Sequence, residues 1–222
     1  MDAVIKVGGS LGENLSVLKT LCNRLSELSK KFSVIVVPGG GKFADVVREF
    51  DQKYALSPAV AHRMAILGMD QFGLMLSQVI PSSCATYSLR DAKRLSEGKA
   101  MPIFLPSQMM LQEGPLEPSW DVTSDAIAAY VTSQLNVHKL ILVTDVDGIF
   151  TSNPQKHSNT QLIPKLSVSK LLTFAQRTSV DKYLPKLLLK ARLDCYVVNG
   201  AYPERVDAIL TGQNTVCTLI KA

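Results

Sequence analysis

Residues 34–37 read VIVV, apolar on both faces of any strand they form. A strand with no polar face has no side to offer water. It belongs in a sheet covered above and below, the setting of parallel strands joined by helices. The stretch that follows, PGGGKFAD, passes from strand to helix through three consecutive glycines, Gly39, Gly40 and Gly41. AVIKVGG, residues 3–9, repeats the order of apolar strand, then glycines, then helix. The fold predicted from this alternation is α/β: a three-layer α/β/α sandwich around a mostly parallel central sheet.

Further elements follow from periodicity. Leu15, Leu18, Leu21, Cys22, Leu25 and Leu28 recur at helix spacing. A second helix begins near Lys42. A third opens with Ser57 as N-cap and Pro58 at the first helical position, and runs to about Ile80, with bends expected at Gly68 and Gly73. Residues 83–117 are less regular, with ATYSL and MPIFL as strands around a short helix. EGPLEPS, residues 113–119, is the expected link between two lobes, 1–115 and 116–222, of a single domain spanning 1–222. Beyond it, DVTSDAIAAYVTSQL reads as a helix, KLILVTDVDG as a strand ending in an acidic loop, and TSNPQKHSNT as a polar surface excursion. Residues 166–176 and 183–193 are expected to be helices, DCYVV a strand, PERVDAIL a helix and TVCTLI the last strand.

Composition removes several classes of function. The chain is 46% hydrophobic and 19% charged, which suits a packed core and not a disordered chain. Its net charge of +5 is spread without long basic runs or basic–aromatic interleaving, so nucleic acid is not an expected partner, whereas a small anion is. Cys22, Cys84, Cys195 and Cys217 are widely spaced and lack a CxxC pair, so free thiols are expected, with no protein-held metal. The first residues enter a strand without a signal-peptide pattern, and no apolar run reaches membrane-spanning length. A cytoplasmic protein without membrane contact is the expectation.

The glycine loops carry the chemistry. Residues 39–44 satisfy G-x-G-x-x-A after a strand, but the acidic residue that binds the ribose of a dinucleotide about twenty positions later is missing. That region, AVAHR, is helical and basic. No G-x-x-x-x-G-K-[ST] occurs either. Three glycines in a row at a strand end instead favour an anion cradle of backbone N–H groups. A lysine inside an apolar strand, Lys6, is costly to bury unpaired, and a phosphate beside Gly8, Gly9 and Ser10 would explain it. Asp121 and Asp125 fall one turn apart if both are helical. Asp125 could equally be ordinary first-turn charge behind Thr123 or Ser124 as N-cap. Lys182, Lys186 and Lys190 recur every four residues, as on a solvated helix face, yet Lys186 stands at a helix start, where a cation needs an anion nearby. His62 and Arg63 could simply occupy a partly exposed helix position.

Taken together, KVGGS, VVPGGGKFAD, the helix carrying Thr123, Ser124 and Asp125, LILVTDVDGIF and LPK resemble, in order over nearly the whole chain, the amino acid kinase family. The resemblance implies phosphoryl transfer from ATP with Mg²⁺ held largely by ATP phosphates and water, an acceptor lobe at 1–115, an ATP lobe at 116–222 and a homo-oligomer. It implies that Lys6 contacts the phosphoryl group in flight, that Asp125 orients the lysines, and that Lys186 is the second catalytic lysine, with Lys182 as a rival. Gly8, Gly9, Ser10, Gly39, Gly40 and Gly41 would bind phosphate. Asp121, Thr144, Asp145, Asp147, Gly148 and Lys182 would bind ATP. AHRMAILGMDQFGLML, TSVDKYLPK and DCYVVNGAYPERV resemble more narrowly the archaeal branch that converts (aminomethyl)furanmethanol phosphate to a diphosphate in methanofuran biosynthesis. This implies His62 and Arg63 on the acceptor phosphate and Asp70 on its ammonium group. A uridylate kinase- or acetylglutamate kinase-like enzyme is the alternative, and a non-catalytic nucleotide- or oxyanion-binding protein on the same fold is the next.

Overall fold

In the computed structural model, residues 1–152, 160–174 and 179–222 are described. Among these residues, eight strands form one sheet in the order β3-β4-β2-β1-β5-β7-β8-β6. The three central strands are β1 (Ala3–Val7), β2 (Val34–Pro38) and β5 (Lys139–Thr144). They run parallel, with Ile5 opposite both Val36 and Ile141. β1 and β2 are buried throughout, as their lack of a polar face requires.

Alternation along the strands divides the core in two. Val4, Ile35, Val37, Leu140 and Leu142 face one apolar cluster, whereas Ile5, Val7, Val34, Val36 and Ile141 face the other. The first side is covered by α6 (Ser124–Gln134) and α8 (Leu184–Ala191), through residues such as Ile127, Val131 and Leu188. The second is covered by α1 (Leu15–Ser29) and α9 (Glu204–Thr211), through Leu21, Leu25 and Ile209. The three layers expected from the sequence are therefore present. The parity also puts Lys6 on the same side of the sheet as Val4, beneath α6.

α2 spans Gly41–Tyr54 and α3 spans Pro58–Val79. The Ser57 hydroxyl accepts from Val60 N at the start of α3, a cap worth about 1 kcal/mol. α3 runs unbroken through both glycines. A Cβ at Gly68 would lie 3.2 Å from the Phe43 backbone, and one at Gly73 would lie 2.4 Å from Leu105. These glycines let neighbours pack close and do not interrupt the helix. The less regular stretch resolves into β3 (Ser83–Thr86), α4 (Leu89–Glu97), β4 (Met101–Phe104) and α5 (Ser107–Glu113).

The second half holds the departures from expectation. α6 begins at Ser124 with Thr123 as N-cap, so Asp121 lies outside the helix and does not share a helical face with Asp125. Residues 165–167 form an edge strand, β6, before the short helix α7 (Val168–Leu172). The Ser167 hydroxyl caps α7, and Leu166 pairs in register with Ile220. The remainder of that expected helix reaches residues 175–176, which lie outside the described residues, as does most of the expected excursion at 151–160. β7 (Asp194–Asn199) is parallel to β5, and β8 (Thr218–Lys221) is antiparallel to β7.

Candidate active site

Because β1, β2 and β5 are parallel, the loops that leave their C-terminal ends gather at one edge of the sheet. Gly8 N donates to Val143 O and Gly39 N to Val7 O, both at 2.8 Å, which locks the two glycine loops to the strand ends. The loops then touch each other. A Cβ on Gly9 would come within 2.0 Å of Gly41 N, and Gly41 has a φ of +52° that favours glycine. Gly41 also opens α2, so free helix N–H groups face the space beside Gly8–Ser10.

That space is a cavity of about 330 Å³. Lys6, Gly8, Gly9, Ser10, Gly40 and Gly41 form one wall, and Thr144 lies at the end of β5. Gly39 does not line the cavity. It packs behind it, where a Cβ would meet Gly9 N at 2.6 Å. Lys6 Nζ lies 2.8 Å from Asp125 Oδ1, with side chains 10% and 9% exposed. The ion pair satisfies the buried lysine, so its burial alone does not call for the phosphate inferred from the sequence; the neighbour in the structure is a carboxylate of α6.

Asp125 Oδ2 in turn accepts from the backbone N of Asp181. The Asp181 carboxylate accepts from Thr123 N, Thr123 Oγ1 and Ala126 N with Oδ2, and from Leu184 N with Oδ1. Burial, followed by the charge of Asp125, pushes the Asp181 carboxyl up to about 6. Sequence reasoning missed this residue. Its partners on and before α6 lie 55 to 58 positions away, and the local signal, an acid three residues ahead of a Pro-marked helix start, announces only the contact with Leu184 N.

The two rival lysines both lie outside the cavity wall. Lys182 pairs with Asp121 at 3.6 Å across a well-exposed surface. Lys186 is exposed on the first turn of α8, with Nζ 5.2 Å from the Tyr183 ring centroid. In the acidic loop, Thr144 Oγ1 donates to Asp145. Asp147 is engaged, accepting from Arg205 at 2.6 Å and from Asn199 at 3.2 Å. Gly148 is pressed against Thr218, where a Cβ would meet Oγ1 at 2.4 Å.

On α3 only one of the three predicted acceptor residues reaches the cavity. His62 lines it together with Ala65, Ile66 and Met69, the positions that share its helix face. Burial lowers the His62 pKa, and a hydrogen bond with the Ser119 backbone partly offsets this. Its Nε2 has no protein partner among the described residues. Arg63 is turned about 100° from His62 and is exposed, away from the cavity wall. Asp70 is off the same face, buried against α5, where it accepts from Ser107 N and is pushed up by burial. The sequence pattern placed these two on the acceptor side but not on the correct face.

Asp45, Arg48 and Trp120 line the cavity and were not anticipated. Gly41, Ala44, Asp45 and Arg48 follow helical spacing from the glycine loop, so α2's inner face was legible in principle. Arg48 pairs with Asp45 at 2.9 Å and lies 4.7 Å from the Trp120 ring centroid. The indole Nε1 donates to Asp51 at 2.7 Å, which pins the residue 120 segment onto α2. No group of three or more His, Cys, Asp or Glu among the described residues is arranged to hold a metal ion. No helix there is long and apolar enough to cross a membrane.

A mostly parallel sheet with two touching glycine loops and a buried lysine–aspartate pair at its carboxyl edge is a phosphoryl-handling architecture. The chain matches the amino acid kinase family over residues 1–199 and belongs to it, so it is a kinase, with ATP implied as phosphate donor. It is 37% identical over 218 residues to the [5-(aminomethyl)furan-3-yl]methyl phosphate kinase of Methanocaldococcus jannaschii, covering 98% of this chain and 96% of that one. It is 24% identical to the uridylate kinase of Thermococcus kodakarensis, covering 97% of each. The crystal structure of the uridylate kinase from Archaeoglobus fulgidus superposes with a TM-score of 0.79 at 20% identity, over 99% of this chain and 100% of that one. The family and fold expected from the sequence, and the narrower likeness to the furan-phosphate branch, are thus borne out.

Proposed function

We propose that the enzyme transfers the γ-phosphoryl group of ATP to [5-(aminomethyl)furan-3-yl]methyl phosphate. An oxygen of the acceptor phosphate forms a bond to the γ-phosphorus, the bond from the γ-phosphorus to the β–γ bridging oxygen breaks, and ADP leaves with the other product, a diphosphate. The observation that carries this is Lys6, a paired cation in the wall between the two glycine loops. Phosphoryl transfer needs little covalent help from the protein. It needs positive charge and N–H donors already aimed at the equatorial oxygens. Mg²⁺ would arrive on the nucleotide phosphates. A division into an acceptor lobe at 1–115 and an ATP lobe at 116–222 suits this arrangement, with Trp120 crossing to the acceptor side through its bond to Asp51.

For the acceptor, His62 takes up a proton as the phosphate binds and donates from its unpartnered Nε2, while its Nδ1–H is turned to the Ser119 backbone. Asp45, on the cavity wall and paired with Arg48, takes the ammonium group; Asp70 lies off that wall, with its carboxylate held by Ser107 N. The Trp120 indole and the apolar side chains of α3 receive the furan ring. A screen of ATP with the aminomethyl furan phosphate, UMP and acetylglutamate tests the assignment, reading ADP and product. Asp45→Asn is expected to raise KM for the aminomethyl acceptor about tenfold, from the lost charge-assisted contact, and to leave its hydroxymethyl analogue unaffected. Preference for UMP would overturn the acceptor while the kinase stands.

The second lysine is assigned to Lys186. A cation in the first turn of α8 opposes the helix dipole unless an anion such as a nucleotide phosphate joins it. Lys186→Ala is expected to reduce kcat at least about tenfold, as for a lost contact made in the transition state. Lys182→Ala should stay near wild type, because exposed pairs contribute under about 1 kcal/mol. Steady-state kinetics of the two variants, side by side, decide between them.

A further inference from the structure

We propose that Asp181 is a positioning residue: one buried carboxylate that ties the start of α6, carrying Asp125, to the start of α8, carrying Lys186, and so holds both in register for transfer. This rests on the kinase reading above. The geometry is specific. Asp181 Oδ2 serves three donors at the α6 N-terminus, Thr123 N, Thr123 Oγ1 and Ala126 N, at 2.9–3.0 Å. Oδ1 serves Leu184 N, the first residue of α8, at 2.6 Å. Neither helix has a cap that replaces it. The Thr123 hydroxyl reaches Asp125 N only at 3.4 Å, and Tyr183 makes no side-chain cap. The backbone N of Asp181 closes the circuit onto Asp125, which holds Lys6. An asparagine has one acceptor oxygen and could serve one helix but not both.

Two carboxylates packed this closely are an electrostatic cost. The charged and titratable groups facing Asp181 are Asp125 on α6, with Lys6 of β1 beyond it, and the Cys195 thiol of β7, itself raised by burial and by both carboxylates. Lys182 and Lys186, on its own segment, are exposed. Because the native carboxyl is raised from 3.8 to about 6, the folded protein holds that proton more tightly than the unfolded chain. Its contribution to stability is therefore full below about pH 4 and is lost as pH rises through about 6. The four donors, however, require the ionised form. Stability and turnover should thus move in opposite directions with pH, which a merely structural cap would not produce.

The experiment compares wild type with Asp181→Asn from pH 4.5 to 8. The expected result is a kcat ratio, wild type over variant, that grows at least about tenfold as pH rises through about 6, since misplacing a catalytic group by 1 Å can cost about a hundredfold. KM for ATP moves less, and the Tm difference, wild type minus variant, shrinks over the same range. Amide exchange at Ala126 and Leu184 at pH 7 should be faster in the variant, and this readout needs no acceptor. A kcat ratio that is flat with pH, or that follows the Tm difference, overturns the proposal, as does unchanged exchange at both amides. If Asp181→Asn does not fold, the wild-type profiles decide, with kcat rising through about pH 6 in support and no such limb against. Changed exchange with no ATP-dependent turnover of any phosphate by the wild type overturns the kinase reading instead.

Discussion

Replacing Lys6 by alanine is expected to lower kcat about a hundredfold or more with little change in KM for ATP, because a preorganised charge at the reacting group is worth several kcal/mol in the transition state alone. The lysine is fixed in place by β1 and by its 2.8 Å pair with Asp125, so no reorganisation is needed as charge shifts during transfer. The substitution has a second consequence. It leaves Asp125 without its cation and hydrogen-bonded to the backbone of another buried acid, Asp181. Removing one partner of a buried pair typically destabilises by about 3–5 kcal/mol, so lost activity could reflect lost fold. A double variant, Lys6→Met with Asp125→Asn, separates the two effects by deleting both charges at nearly conserved volume. It should recover most of the Tm lost in Lys6→Ala and none of the turnover. Near-wild-type kcat in either folded variant would remove Lys6 from the mechanism.

How much of this was legible in the sequence depended on whether the cause was local. β1 and β2 were readable because burial on both faces writes itself as an uninterrupted apolar run. The start of α3 was readable because Ser57 and Pro58 satisfy a local requirement of any helix N-terminus. β6 was not, since its three residues, 165–167, are a strand only by virtue of pairing with β8, more than fifty positions later. Lys6 stood out as a lone charge in an apolar strand. Asp181 did not: its contact with Leu184 N is local, but the three donors at the start of α6 are brought near only by the fold. His62, Arg63 and Asp70 mark the boundary between the two cases. The helix was legible, but which of its faces meets the cavity was settled by how α3 lies against α2 and α5, and that separated Arg63 and Asp70 from His62.

The touching glycine loops carry the other large expected effect. Gly9→Ala should nearly abolish turnover and lower stability by more than the about 1–3 kcal/mol usual for overpacking. In ordinary overpacked cores a flexible side chain yields. Here the added Cβ would meet backbone, Gly41 N at 2.0 Å and Gly41 Cα at 2.2 Å, and neither can rotate away. Gly41 cannot retreat cheaply, because it begins α2 with φ +52° and a Cβ on it would already lie 2.9 Å from Gly9 O. The loops would have to part. That would pull the α2 N-terminus away from Gly8–Ser10 and misplace the N–H groups of the cradle by an ångström or more. Gly98→Ala provides the control: its Cβ would meet nothing nearer than 3.4 Å, with an ordinary negative φ, so Tm and kcat should stay close to wild type. Thermal melts and single-turnover rates on both variants give the comparison. A folded Gly9→Ala enzyme with wild-type turnover would mean that the contact between the loops is incidental to holding the phosphoryl group.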